Sequence, residues 1–460
     1  MDRMQPLKGP VRLWNKNFLL LWQGQLVSQI GQRYFNVGML FYIKQATESA
    51  SLMGAMMLFS TLPGVLLGPM GGTFADLFSR KKIIVYSDLI QGILVFSLAA
   101  LMFFLIWATG LITTDPQGNF AFFSFVYLTP HASAINITWM FIVATLGAII
   151  FAFFTPAMSA AIPDLVPKEK LNVANSLNQF AIFLAMFLGQ GLGGLIFSIT
   201  GAPLLFLINS ATYIYAAGTE SFISIPQPPP KPERKSGEAW KAFIQDTKEG
   251  LVYVWNEKGM RILFLAAALL HLLIAPMLLL LPFYVEDYLK QNASWYGYLL
   301  AAVGLGSVVG YLIAGGVNVR GKAQSNLIIL SLLGASISLG IVGFITQPFI
   351  VLGVVTMIGL TAGIFIVKTT TVIQLAASSE IRGRVFGLLG TLTSGLAPIG
   401  MGIAGVIADM ANKNIPVIYA TCGLLVLAMS IGLALSKEAR EFLTLDVTHR
   451  AEPGPGSEIL

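Results

Sequence analysis

Long apolar runs separated by short polar segments dominate the chain. A helix needs about 20 mostly apolar residues to cross roughly 30 Å of hydrocarbon. Twelve runs reach that length, at 18–43, 52–75, 83–107, 137–160, 173–199, 203–223, 262–285, 295–316, 325–346, 349–373, 385–410 and 415–436. We therefore predict an all-α membrane protein with twelve transmembrane helices.

The composition supports this class of protein. Hydrophobic residues make up 55% of the chain and charged residues only 11%, against about 25% charged residues in soluble domains. One cysteine and three histidines, scattered along the chain, give no metal constellation. We expect no metal and no cofactor. No phosphate-binding loop and no nucleophile–His–acid set is recognisable, so we do not expect an enzyme.

The positions of the basic residues predict the topology. The loops alternate in charge, and 23 of the 28 Lys and Arg fall on the side that also carries both termini. Because basic residues stay on the cytoplasmic side, both termini should be cytoplasmic in an inner membrane. Because the basic residues follow the membrane topology, the net charge of +6 does not indicate a nucleic-acid partner.

One long polar segment divides the chain into two groups of six helices. It opens with closely spaced prolines, which form a stiff spacer, and continues at 237–255 as an amphipathic stretch that we expect on the membrane surface. Segment 108–136 is a second long connection, which we place at the outer interface. The predicted domains are 1–17 (cytoplasmic segment), 18–223 (first bundle), 224–261 (linker), 262–436 (second bundle) and 437–460 (cytoplasmic tail).

The two halves repeat each other. At a constant offset of 211 residues, segment 154–194 aligns with 365–405, and its glycines match: Gly189 with Gly400 and Gly194 with Gly405. An internal repeat of this kind predicts two pseudo-symmetric six-helix bundles around a central pathway.

The loop after the second helix carries a charged motif. It reads Gly72, Asp76, Arg80 and Lys81, with Ser79 before the basic pair. Gly72 would permit close helix contact, while Asp76 could pair with a basic group or cap the next helix. We predict a gating role for these residues; the alternative is an ordinary positive-inside loop.

A glycine-rich motif lies on the fifth helix. Gly189, Gly191, Gly193 and Gly194 surround Gln190 and Leu192. Small residues let helices approach closely, so conformational change could occur at such seams. Helix packing alone is the alternative interpretation of Gly189, Gly193 and Gly194.

These motifs resemble the major facilitator superfamily, in particular its macrolide-efflux and siderophore-exporter branch. Segments 155–157, 166–169 and 383–386 add to the resemblance, which covers residues 15–436. The sequence departs from the family pattern at Ser79, where Gly is usual, and at Gln190, where Pro is usual. The resemblance implies the major facilitator fold, export of amphipathic molecules in antiport with protons, and a cavity lined by helices 1, 4, 7 and 10.

Ionisable side chains within those helices are candidates for the cavity, because each costs about 2.5–3.5 kcal/mol to insert. The ionisable candidates are Arg33 on the first helix, His271 on the seventh and Lys368 on the tenth. Gln29, Gln32 and Asn36 on the first helix could add hydrogen bonds near Arg33. Alternatives stay open: a buried structural pair for Arg33, a neutral hydrogen-bonded ring for His271, and snorkelling or a local salt bridge for Lys368.

We identify Asp88 and Glu220 as carboxylates within helices, neither deep on a cavity-lining helix. We expect Asp88 to pair with the basic loop at 80–82, with proton coupling as the alternative. His271 is the other candidate for the proton, since imidazole titrates in the required range.

The sequence thus predicts a monomeric secondary transporter that exports a small amphipathic molecule and moves protons in exchange. A cationic cavity would favour anionic or zwitterionic substrates. The alternatives are a lysophospholipid or other lipid flippase, an importer of the same fold, and a membrane sensor that does not transport.

Overall fold

A computed structural model describes residues 13–108, 130–226, 236–317, 319–378 and 381–445. In these ranges the chain forms helices and no strand. The predicted interface position of the loop at 109–129, the proline-rich spacer at 227–235 and the tail beyond 445 lie outside the described residues.

The helices follow one another with short connections. Their bounds are α1 Lys16–Thr47, α2 Ala50–Phe59, α3 Leu62–Leu77, α4 Arg80–Ala108, α5 Pro130–Leu165, α6 Leu171–Ser221, α7 Ser236–Asn256, α8 Lys258–Phe283, α9 Ser294–Gly316, α10 Lys322–Val342, α11 Pro348–Ala376, α12 Arg382–Met410, α13 Ile415–Leu435 and α14 Lys437–Leu443. In lipid every backbone polar group must be satisfied internally, which accounts for a chain built of helices.

Ten helices in the described ranges are long and apolar enough to cross a membrane. Helix α1 is a further span whose row of polar residues lowers its hydropathy. Helix α6 contains two spans, because Gly201 breaks it with φ +71° and ψ −178°. Positive φ is a conformation that glycine adopts without strain. The predicted twelve-helix architecture is confirmed.

The second span is interrupted. Helix α2 ends at Phe59 and α3 begins at Leu62, where Pro63 occupies the first turn, as proline does most readily. The described chain forms two compact units, and this interruption lies close to a boundary between them: 49–58 belongs to the second unit and 59–241 to the first.

The first unit comprises Met1–Glu48 and Phe59–Lys241. Within it, α1 packs along α6, α4 packs on α5 and α6, and α3 packs on α5. A buried apolar cluster, which includes Phe18, Ile84 and Phe154, joins α1, α4 and α5. Gly71 allows α3 to lie against the backbone of Ala152 on α5.

The second unit comprises Ser49–Leu58 and Ala242–Leu460. Within it, α9 packs on α11, α10 on α11 and α13, and α8 on α12 and α13. Helix α7 is tied to this unit by Arg384, which forms ion pairs with Asp246 and Glu249, and by the Tyr253 hydroxyl, which donates to the Ala376 carbonyl oxygen.

Candidate functional site

Helix α1 carries a row of polar side chains along one face. Gln25, Gln29, Gln32 and Asn36 are spaced by four, three and four residues, which places them on one face of a helix. Gln25 is buried and the other three are half-buried. The Gln32 side-chain amide donates to Asn36 Oδ1 over 3.2 Å. The sequence pattern thus locates a row of hydrogen-bonding groups within a transmembrane helix.

Arg33 lies beside this face and is half-buried. Its Cβ faces Gly189 on α6, where only the absence of a side chain leaves room. Tyr213, also on α6, lies close enough for the charge of Arg33 to act on its hydroxyl. That hydroxyl donates to Gln32 Oε1 over 2.5 Å. Gln32 and Tyr213 are therefore hydrogen-bonded between α1 and α6, and Arg33 is next to Gln32 along α1.

A pair of carboxyl groups lies near the start of α4 and the end of α6. Asp88 on α4 and Glu220 on α6 are each only 1% exposed. The Gln25 side-chain amide nitrogen lies between them, 2.8 Å from Glu220 Oε1 and 3.4 Å from Asp88 Oδ2. Three helices thus converge on one buried acidic site.

The predicted pairing of Asp88 with the basic loop at 80–82 is wrong. Asp88 lies six to eight residues along α4 from these basic residues, and eight residues of helix rise about 12 Å. Its carboxyl group faces α1 and α6 instead. Both acids can be identified from the sequence, but their proximity cannot be predicted from it, because they are far apart in the chain.

Arg80 has a different partner from the expected one. Its guanidinium pairs with Asp164 at 2.5 Å and donates to the Ala160 carbonyl oxygen at 3.1 Å, which ties α4 to the end of α5. Lys81 is half-buried, and the side chain of Asp76 lies outside the described part of the structure.

The close helix contact expected of Gly72 is made by its neighbour. A Cβ at Gly72 would meet open space, whereas one at Gly71 would collide with the Ala152 carbonyl oxygen. The helical rotation of about 100° per residue turns Gly71, and not Gly72, towards α5.

Two glycines of the fifth span, Gly189 and Gly193, line the seam between α6 and α1. Gly189, Gly193 and Gly194 are buried. A Cβ at Gly193 would lie 3.0 Å from Val37 Cγ2. The second unit repeats the relation: a Cβ at Gly400 on α12 would lie 2.7 Å from the Leu272 carbonyl oxygen on α8. The fifth span therefore meets the first as the eleventh meets the seventh.

His271 and Lys368 lie in the second unit and each contacts a backbone carbonyl. His271 Nδ1 lies 2.9 Å from the Ala267 carbonyl oxygen of its own helix. Lys368 Nζ donates over 3.2 Å to the Val317 carbonyl oxygen, at the C-terminal cap of α9. A cation there compensates the unpaired carbonyls of the helix end.

Sequence reasoning missed one acid altogether. Asp409, at the end of α12, accepts hydrogen bonds from the backbone at the start of α2. The sequence signal for this residue is its position at the helix end, two residues before the turn at 411–413. No group of three or more His, Cys, Asp or Glu within the described ranges could hold a metal ion.

Comparison with known proteins agrees with this architecture. The model of the Major Facilitator Superfamily matches residues 21–401. Macrolide efflux protein A of Streptococcus pyogenes is 25% identical over 409 residues, which cover 87% of this chain and 91% of that protein. The multidrug efflux pump Tap of Mycolicibacterium fortuitum is 22% identical over 403 residues, covering 86% and 90% respectively.

A solved structure confirms the fold. A bacterial homologue of the iron transporter ferroportin superposes with a TM-score of 0.64 and 15% identity, over 91% of this chain and 98% of that one. The predicted resemblance to an efflux branch is likewise confirmed by the two relatives. This chain is therefore a member of the Major Facilitator Superfamily, a multi-pass membrane transporter of small molecules and not an enzyme.

Proposed function

We propose that this chain exports small amphipathic molecules by alternating access, in antiport with protons. The observation that carries the proposal is the extent of the similarity to two efflux proteins, which runs over 87% and 86% of this chain. A match of that length involves both halves of the transport fold and not a single shared motif.

The two compact units are the moving bodies in this proposal. Glycines within each unit, such as Gly189 and Gly400, bring helix backbones into close contact. Packed cores of this kind move as bodies rather than deform continuously. Alternating access then opens the substrate site to one side of the membrane at a time.

Helix α1 supplies the substrate contacts. Gln29, Gln32 and Asn36 offer amide groups that both donate and accept hydrogen bonds, and Arg33 adds a positive charge. A half-buried cation in apolar surroundings attracts anions more strongly than it would in water. We therefore assign a preference for anionic or zwitterionic amphipathic molecules.

Transport of two fluorescent dyes tests this preference. In proteoliposomes, the anionic dye anilinonaphthalene sulfonate is compared with the cationic dye ethidium for the wild type, Arg33→Ala and Arg33→Lys. We expect Arg33→Ala to reduce uptake of the anionic dye about tenfold or more, since a lost charged hydrogen bond is worth about 1.5–3 kcal/mol. Arg33→Lys should retain part of the activity.

The dye results separate a substrate contact from a structural one. Uptake of ethidium should change little in Arg33→Ala. Equal loss for both dyes, or preferential transport of ethidium by the wild type, would contradict the assigned preference.

The proposal includes a location in the plasma membrane, a monomeric state and cytoplasmic positions for both termini. The location of 23 of 28 basic residues on one side supports this orientation. Reporter tags that fluoresce only in the cytoplasm, fused to either end, would test this orientation. If the tag at one end did not fluoresce, the two termini would lie on opposite sides of the membrane and the number of spans would be odd.

A further inference from the structure

Asp88 and Glu220 form a buried acidic pair that none of the family motifs includes. Each side chain is 1% exposed. Glu220 Oε1 and Asp88 Oδ2 lie 2.8 and 3.4 Å from the same atom, the Gln25 side-chain amide nitrogen. Gln25 donates to both from a single nitrogen. Acids held this close in an apolar surrounding require an explanation.

Positive charge does not compensate the pair. In the described part of the chain neither carboxylate forms an ion pair, and Glu220 Oε2 is buried without a hydrogen-bond partner. Two carboxylates in contact, out of water and without a cation, cannot both remain ionised. At least one of them therefore carries a proton.

The pair is connected to the polar face of α1. Its titratable or charged neighbours are Tyr213 on α6 and, beyond it, Arg33 on α1. Asp88 and Arg33 both act electrostatically on Tyr213, whose hydroxyl donates to Gln32. A change of charge at the pair therefore changes the electrostatic potential at the residues to which we assign substrate contact.

We propose that Asp88 and Glu220 together bind one exchangeable proton, and that this pair couples proton entry to export. This inference rests on the proposed function. When the pair is accessible from outside, a proton from external water forms an O–H bond on one carboxylate. When the pair is accessible from the cytoplasm, that bond breaks and the proton passes to cytoplasmic water. His271 is less suited to the task, because its Nδ1 is already bonded within its own helix.

Infrared spectroscopy of the purified full chain tests whether the proton is there. The carbonyl stretch of a protonated carboxyl group is resolved from that of a carboxylate. At neutral pH we expect the carbonyl band of a protonated carboxyl group. This band should shift in Asp88→Asn and in Glu220→Gln, and it should be lost in the double variant. Glu441→Gln, which changes an exposed acid on α14, should leave it unchanged. A spectrum in which the double variant matches the wild type would overturn the inference.

Transport tests whether the proton is coupled. Accumulation of anilinonaphthalene sulfonate, or of ethidium if the wild type prefers it, is measured with an imposed pH gradient and, separately, as exchange without a gradient. In Asp88→Asn and in Glu220→Gln, both reactions are compared with the wild type. The loss of gradient-driven accumulation should be at least tenfold greater than the loss of exchange. The exchange reaction shows that these isosteric variants are folded, and Glu441→Gln should change neither reaction.

The outcomes separate this inference from the proposed function. If both single variants keep gradient-driven accumulation, the pair is structural and the inference fails, while proton-coupled export stands. If the wild type exchanges dye but ignores the gradient, proton coupling itself fails, and the inference fails with it.

Discussion

Two glycines on α6 show how the position of a single residue decides its role. Gly189 and Gly191 lie two residues apart in the same motif, but helical rotation turns them to different faces. A Cβ at Gly189 would collide with Arg33 Cβ and lie 3.1 Å from the Ile30 carbonyl oxygen, whereas one at Gly191 would meet open space. Only the first glycine is required by the seam between α1 and α6.

Gly189→Ala should therefore destabilise the protein, while Gly191→Ala should not. Overpacking of a tight contact costs about 1–3 kcal/mol, whereas alanine in an open helical position is favoured by up to about 1 kcal/mol. Thermal unfolding in detergent gives the comparison. We expect a melting temperature lowered by several degrees for Gly189→Ala and one unchanged or raised for Gly191→Ala. Equal effects of the two variants would mean that the seam is not tightly packed.

At the level of elements, the first part of the second span is fixed by α12. Asp409 Oδ1 accepts from the Ala50 backbone over 3.0 Å, and Oδ2 accepts from the Ser51 backbone over 2.8 Å and the Ser49 hydroxyl over 3.0 Å. A carboxylate at a helix N-terminus also compensates the unpaired N–H groups there. Gly405 permits the approach, since a Cβ on it would collide with the Ala50 carbonyl oxygen.

Asp409→Ala should release the start of α2. Loss of a capping side chain costs about 0.5–2 kcal/mol, so we expect a lower melting temperature and faster hydrogen exchange at 50–54. Glu257→Ala is the matched control, because Glu257 stands at the N-cap of α8 without a side-chain hydrogen bond. Unchanged exchange at 50–54 in Asp409→Ala would show that packing alone holds α2.

The sequence predicted most elements but few partners. The twelve spans follow from the length of their apolar runs, and the polar face of α1 follows from helical spacing. The partner of Asp88 could not be predicted, because Glu220 becomes its neighbour only when α4 packs on α6. For the same reason, sequence order suggested the wrong partner for Asp88 and did not separate Gly71 from Gly72, whose orientation depends on helix phase.

At the level of the whole molecule, the two units share one construction. The fifth span packs on the first through Gly189, and the eleventh packs on the seventh through Gly400, which are the equivalent helices under the repeat. Charge distribution breaks this symmetry: the buried acids lie in the first unit, whereas Lys368 caps a helix in the second. In the antiport proposed above, the proton site therefore lies in the first unit.

Dye accumulation in everted membrane vesicles tests the central claim most directly. In such vesicles an exporter transports inward, so an acid-inside gradient should drive accumulation of anilinonaphthalene sulfonate by the wild type. An uncoupler that collapses the gradient should stop it, and vesicles without the protein should show none. Accumulation that persists after the collapse, or that occurs only in vesicles of the opposite orientation, would contradict proton-driven export.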